Sequence, residues 1–299
     1  MTITAQPTTV AIITGKAKPS IHYRRRGVAQ KVLIYIGALL FAAFSMFPVL
    51  WGLSTALKEP GDIYALPPQW IPNPITFDNF VSALQNEVLI RSFFNTFIIA
   101  TGTTVIALVV GVLGAYGFSR FKFPGQKTLL WTVLFTQLFP RVVVLVPYFI
   151  TLRNLDLLNT YQGLILVYLM AVFPVAIWLI KGFFDAIPIE IEEAAVLDGC
   201  SVPRLLWSII LPISKPALAA VAMYSFILAW NEYLFALVFT NGLERRPISV
   251  ALAFFIDENG VRWGELTAAS LLMSIPSIVV FALTQKLLVR GLSEGAVKG

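Results

Sequence analysis

Residues 192–200 read EEAAVLDGC, a compact acidic and small-residue segment set between two long apolar runs of a 299-residue chain that is 58% hydrophobic. Its surroundings fix how it must be read. Only 13% of the residues are charged, against about 25% in soluble proteins, and the mean hydropathy is +0.80. Residues 32–57 carry no charge over 26 positions and residues 92–119 none over 28, each longer than the ~20 apolar residues a bilayer-crossing helix needs. The composition is that of an all-α integral membrane protein, and the segment is a loop between spans.

Six spans are expected, over 32–57, 92–119, 128–152, 161–180, 217–240 and 266–285. An even number places both ends on one side. If that side is the cytoplasm, the inside segments hold Lys16, Lys18, Arg24, Arg25, Arg26 and Lys31, then Arg120, Lys122 and Lys127, then Lys181, Arg204 and Lys215, then Lys286, Arg290 and Lys298. Fewer basic residues remain outside: Lys58, Arg91, Arg153, Arg245, Arg246 and Arg262. The positive-inside rule therefore predicts cytoplasmic N- and C-termini. The first apolar run is too long, and begins too far along the chain, for a cleaved signal peptide, so it reads as an uncleaved span. The net charge of +6 follows from this topology, and no nucleic-acid partner is expected. One cysteine, Cys200, and one histidine, His22, exclude an internal disulfide and leave no usual zinc ligand set.

The first outer loop, from Lys58, carries five prolines and cannot be one regular helix. The third outer segment, NGLERRPISVALAFFIDENGVRWGE (241–265), is long enough to fold into a small structure or to reach a partner. Glycines at 102, 111, 114 and 117 in the second span are read as close-packing positions, since helices in lipid associate by packing.

On this topology EEAAVLDGC belongs to the longest inside loop, residues 181–216. Pro188 suits a first helical position, and Glu190, Glu192 and Glu193 complement the positive end of the helix dipole. Gly199 is placed to end that helix in a left-handed conformation. A second helix is expected over 203–210, before Pro212 and Pro216 lead into the fifth span. Two short helices joined at a glycine suit docking into a groove of a cytoplasmic partner; from the pattern alone, a hairpin that merely covers helix ends is also open.

The spacing adds a resemblance. Glu193, Ala194, Ala195, then Asp198 and Gly199, then IILP at 209–212 resemble the EAA signature, EAA---G---------I-LP, of permease subunits of binding-protein-dependent ATP-binding-cassette (ABC) importers. LLNTYQGLIL (157–166), WNEYLFAL (230–237), PPQW (67–70), WGELTAAS (263–270) and the ending RGLSEGAVKG resemble the sugar-importer branch, near its maltose-type second permease. Cys200 and Leu206 depart from the usual alanine and aromatic. The resemblance implies a MetI-like type I ABC importer permease fold, six transmembrane helices with a cytoplasmic EAA coupling helix-turn-helix. Its divisions would be a tail over 1–30, the permease domain over 31–290 and a C-terminal tail over 291–299 that reaches between the ATPases.

The same resemblance implies a bacterial inner-membrane complex with a homologous second permease, two ABC ATPase subunits, a solute-binding protein outside and lipid around it. The chain has no phosphate-binding loop of the type G-x-x-x-x-G-K, so ATP and magnesium would belong to the ATPases, and no cofactor or metal to this chain. Glu193, Ala194, Ala195, Asp198, Gly199, Leu211 and Pro212 would form the ATPase-coupling loop, Glu193 as charged contact. Asp198 capping the second helix is the structural alternative for that residue.

Within the spans, Arg141 and Glu232 are candidates because charge in a membrane is expensive; the two could pair. Gln137, Trp230, Asn231 and Tyr233 offer the aromatic and amide groups that bind carbohydrate. Two alternatives stand beside a neutral-sugar permease: a secondary transporter coupling ions through Arg141 and Glu232, and a permease for an anionic sugar. An intramembrane enzyme is excluded, because no paired aspartates and no Ser or Cys beside a His occur within the spans.

Overall fold

The computed structural model describes residues 28–258 and 260–296. The N-terminal tail, including His22, lies outside the described residues. The chain divides into two units, residues 1–48 and 49–299. The described part of the first is the opening of helix α1 (Val28–Ala56), uncharged after Lys31. All else described here belongs to the second.

In chain order follow α2 (Asp78–Gln85), α3 (Glu87–Arg120), α4 (Gln126–Phe135), α5 (Arg141–Asn154), α6 (Tyr161–Asp185), α7 (Ile189–Leu197), α8 (Val202–Leu205), α9 (Leu211–Ile213), α10 (Lys215–Trp230), α11 (Leu234–Phe239), α12 (Ile248–Leu252) and α13 (Trp263–Ala296). Among the described residues, four helices are long and apolar enough to cross a membrane: 30–56, 87–120, 161–185 and 263–288. Two bent pairs, 126–138 with 141–154 at 102° and 202–213 with 215–230 at 81°, bring the number to six when each counts as one span.

Two of the expected spans are thus not straight helices. The third breaks at Phe139–Pro140, where Pro140 is extended and opens α5; a proline disfavours helical backbone in its predecessor. The fifth, expected to run to 240, ends as a helix at Trp230. Glu232 then starts α11, its carboxylate accepting the N–H groups of Phe235 and Ala236 at 3.1 Å. The second span begins earlier than its charge-free run because Asn86 caps it, accepting from Val88 and Leu89.

The core is the packing of α3 against α6, with α10 laid against both. Three of the four glycines in α3 face α6: a Cβ at Gly102 would meet Ile165 at 2.8 Å, at Gly111 Ile180 at 3.4 Å, and at Gly114 Ile177 at 3.4 Å. Gly117 has nothing within 4 Å and takes no part in this seam. Buried Ile99, Ala100, Leu164, Val167, Tyr168, Phe226 and Trp230 fill the half nearer the start of α6. Ala107, Val112, Ala115, Val172, Ala176, Ile180, Phe184 and Val221 fill the half nearer α7.

The turn into α6 shows why LNTYQG has its order. Thr160 caps the helix through the Gly163 N–H at 3.0 Å. Asn159 is left-handed, φ 56°, and its side chain accepts the Asn241 N–H. The segment 241–265 is fixed in turn by buried polar side chains, because backbone groups left without partners in such a setting are costly. Asn95 donates to the carbonyls of Glu244 and Arg246, both at 2.9 Å, and Thr96 accepts the Ile248 N–H at 2.7 Å. Its further part folds into α12, a short antiparallel pair (Ile256–Asp257 with Gly260–Val261) and the start of α13. Asn79 of α2 does similar work for α1, donating to the Ala56 and Lys58 carbonyls.

Candidate functional site

Helix α7 starts at Ile189 with Pro188 in the cap position, one residue outside the helix rather than its first member. It ends in a paired closure that satisfies its last carbonyls: Gly199 N–H bonds Val196 O and Cys200 N–H bonds Ala195 O, both at 2.9 Å. Gly199 has φ +80°, a region open to glycine and strained for branched side chains. The expected second helix is three pieces: α8, a wider turn over Leu206–Ile210 whose bonds span five residues, and α9. Such π-type turns concentrate at functional sites.

The six-residue reach from Glu192 to Leu197 has two faces. Glu192 and Ala195 are buried, while Glu193, Ala194, Val196 and Leu197 are exposed, as are Asp198 and Gly199 beyond the helix. Ala195 packs into one cluster with Phe184, Ile187, Leu205, Leu206 and Ile210. The second helix has no side-chain cap, so Asp198 does not play the capping role open to it in the sequence. Leu211 lines an apolar cavity of about 330 Å³ with Leu108, Val112, Leu206 and Trp207, and Pro212 is exposed.

Glu192, read from the sequence only as a helix-dipole residue, is buried and has an ion-pair partner. Glu192 is 6% exposed; its Oε1 accepts from Arg120 Nε at 2.6 Å, with Nη2 also 2.6 Å away, and its Oε2 accepts the Tyr116 hydroxyl at 3.3 Å. Arg120 Nη2 also donates to the Phe184 carbonyl at 2.9 Å and to that of Ile187 at 3.3 Å, and Nη1 to Ser119 Oγ at 2.9 Å. Ser119 donates to Asp185, which pairs with Lys181. Removing one partner of a buried, hydrogen-bonded pair of this kind costs roughly 3–5 kcal/mol, because the other charge stays behind.

The membrane-level candidates separate into two cavities. Gln137 and Arg141 line one of about 140 Å³, together with Thr136, Tyr148, Met170 and Phe235. Gln137 donates to the Ala171 carbonyl at 2.9 Å, which sets it near the middle of α6. Trp230, Asn231 and Tyr233 line a second, of about 400 Å³, with Ser270, Ser274 and Ser277 of α13. Trp230 itself is 4% exposed and spends its Nε1–H on the Met273 carbonyl. Glu232, 5% exposed, lines neither and is held by its cap to α11. It makes no ion pair with Arg141, which has none among the described residues. The serines at 270, 274 and 277 share one helix face, a spacing visible in the sequence that the reading did not use.

Bent spans around a core of α3, α6 and α10, with a short-helix element between the fourth and fifth, are the architecture of a membrane-embedded transport subunit. Residues 107–294 match the family described as binding-protein-dependent transport system inner membrane component, and the chain belongs to that family. It is 34% identical over 283 residues to the trehalose/maltose transport system permease protein MalG of Thermococcus litoralis, covering 92% of this chain and 99% of that one. It is 32% identical over 275 residues to the diacetylchitobiose uptake system permease protein DasC of Streptomyces coelicolor, covering 92% and 100%. The structure superposes with a TM-score of 0.75, at 25% identity, on a chain of a bacterial ABC transporter that imports the acidic polysaccharide alginate, covering 87% of this chain and 98% of that one. This chain is therefore a permease subunit of an ABC importer, of the maltose-type second-permease branch with the MetI-like fold, and a transport component rather than an enzyme.

Proposed function

We propose that this chain forms half of a carbohydrate passage, paired with a homologous permease, fed from outside by a solute-binding protein and driven from inside by two ATPases that hold the ATP and magnesium. Relatives named for trehalose, maltose and diacetylchitobiose support the solute class. Both termini lie in the cytoplasm on this reading, as the distribution of basic residues requires. The observation that carries the coupling role is the exposure of Glu193, Ala194, Asp198 and Gly199 on an element whose other face is locked into the core. Small side chains there allow close seating on an ATPase groove, and Glu193 supplies a charge for a basic residue in it. Gln137 and Arg141, and across the bundle Asn231 and Tyr233, serve as the polar groups of the passage.

The deciding experiment is Glu193→Lys in the reconstituted complex. Uptake is expected to fall to background while the helical content and detergent behaviour of the permease stay unchanged; uptake at the parent rate sinks the proposal.

A second reading concerns the solute's charge. Among the described residues Arg141 has no ion-pair partner; it lines a concave surface with Thr136, Gln137 and Tyr148, at the N-terminus of α5. A guanidinium and a helix N-terminus together attract an anion, which favours a saccharide bearing a carboxylate or sulfonate.

A further inference from the structure

We propose that Arg120 and Glu192 form the joint through which movement of α7 reaches α3, and through α3 the outer face of the protein. The inference rests on the reading of α7 as the ATPase-docking helix. Its backbone already ties α7 to α6 and, through α8 and α9, to α10. Helix α3 has no such tie, although it is the element against which both α6 and α10 pack. Among the described residues, its only charged grip on α7 is the Arg120 guanidinium. That one group holds the Glu192 carboxylate and the carbonyls of Phe184 and Ile187, so the end of α6, the start of α7 and the end of α3 meet on a single planar fork. Arginine can do this where lysine, a point charge with no fixed fork, cannot.

The other end of the same helix is anchored just as specifically. Asn95 and Thr96 hold the backbone of residues 244–248, and Tyr161 of α6 donates to Asn95 at 2.6 Å. Between these two grips α3 is continuous, a helix of 34 residues, about 50 Å long at 1.5 Å per residue. A rigid rod gripped at both ends moves the outer segment when its inner end is moved. Arg120 and Glu192 are positioning residues: they touch neither ATP nor solute.

The test uses the complete reconstituted importer and reads ATP hydrolysed per solute imported, together with the stimulation of ATPase by loaded binding protein. Replacing a buried ion pair by matched apolar residues commonly leaves a fold as stable as before. The double variant Arg120→Met with Glu192→Leu is therefore expected to assemble, to lose binding-protein stimulation and to spend at least about tenfold more ATP per solute, the size of an ordinary coupling energy. Arg120→Lys keeps the charge but loses the fork, and coupling falls in it to a smaller extent. A purely structural pair predicts parent-like coupling in both variants, and that result overturns the proposal. If the apolar pair fails to assemble, Arg120→Lys decides alone. Retention of the ATPase on the immobilised permease separates the two levels: Glu193→Lys loses it, whereas the Arg120 variants keep it. Retention by Glu193→Lys refutes the docking reading, and parent-like coupling in Arg120→Lys refutes the joint.

Discussion

At Gly199 the constraint on substitution is the backbone conformation itself. With φ at +80° and open space around the missing Cβ, a larger residue is opposed by backbone strain and not by collision. Gly199→Val is expected to cost about 1–3 kcal/mol locally and to abolish uptake by misplacing the tip of α7. Gly199→Asn, which tolerates the left-handed region, retains most of it; equal loss in both variants, measured as solute uptake, contradicts the conformational account. Arg141 invites a different single-residue measurement. If its charge faces the solute, Arg141→Gln lowers uptake of an anionic saccharide by roughly tenfold or more, as expected for one lost charge-assisted hydrogen bond of 1.5–3 kcal/mol. It leaves a neutral saccharide nearly unaffected. A loss common to both solutes points to a structural partner for Arg141 and removes the case for an anion.

Among the elements, those set by local chemistry were legible and those set by distant partners were not. The closure of α7 was readable because one glycine after an Ala-rich helix carries its own conformational signal. The kink between α4 and α5 was marked by Pro140, yet an apolar window treats residues 128–152 as one uninterrupted span. The end of α10 at Trp230 depends on Glu232 turning back to cap α11, a choice that a hydropathy pattern does not encode. Glu192 and Arg120 lie 72 residues apart, so nothing local distinguished the buried Glu192 from the exposed Glu193. The glycine seam was legible as packing, but only three of its four members take part, since a Cβ at Gly117 would meet nothing within 4 Å. Gly111 and Gly117 thus make a matched pair for measurement. Gly111→Leu overpacks the seam against Ile180 and Ala176 and should cost about 1–3 kcal/mol, seen as a lower melting temperature in detergent. Gly117→Leu is expected to melt within a degree or two of the parent, because stability changes little without a packing clash.

For the molecule as a whole the orientation in the membrane carries everything proposed about force transmission, since α7 must face the ATPases. The chain supplies its own probe: Cys200 is the single cysteine, it follows Gly199 directly, and it is partly accessible. A membrane-impermeant maleimide should label Cys200 in inside-out vesicles stripped of ATPase and leave it unlabelled in right-side-out cells. The complementary position is Glu244, exposed in the segment expected to lie outside. In a Cys200→Ser background, Glu244→Cys is expected to react in cells and to be protected in the inverted vesicles. Because α6, a single helix long and apolar enough to cross a membrane, runs between these two regions, opposite patterns are expected. Labelling of both sites from the same side breaks the six-span topology, and labelling of Cys200 from outside removes α7 from the ATPases' reach.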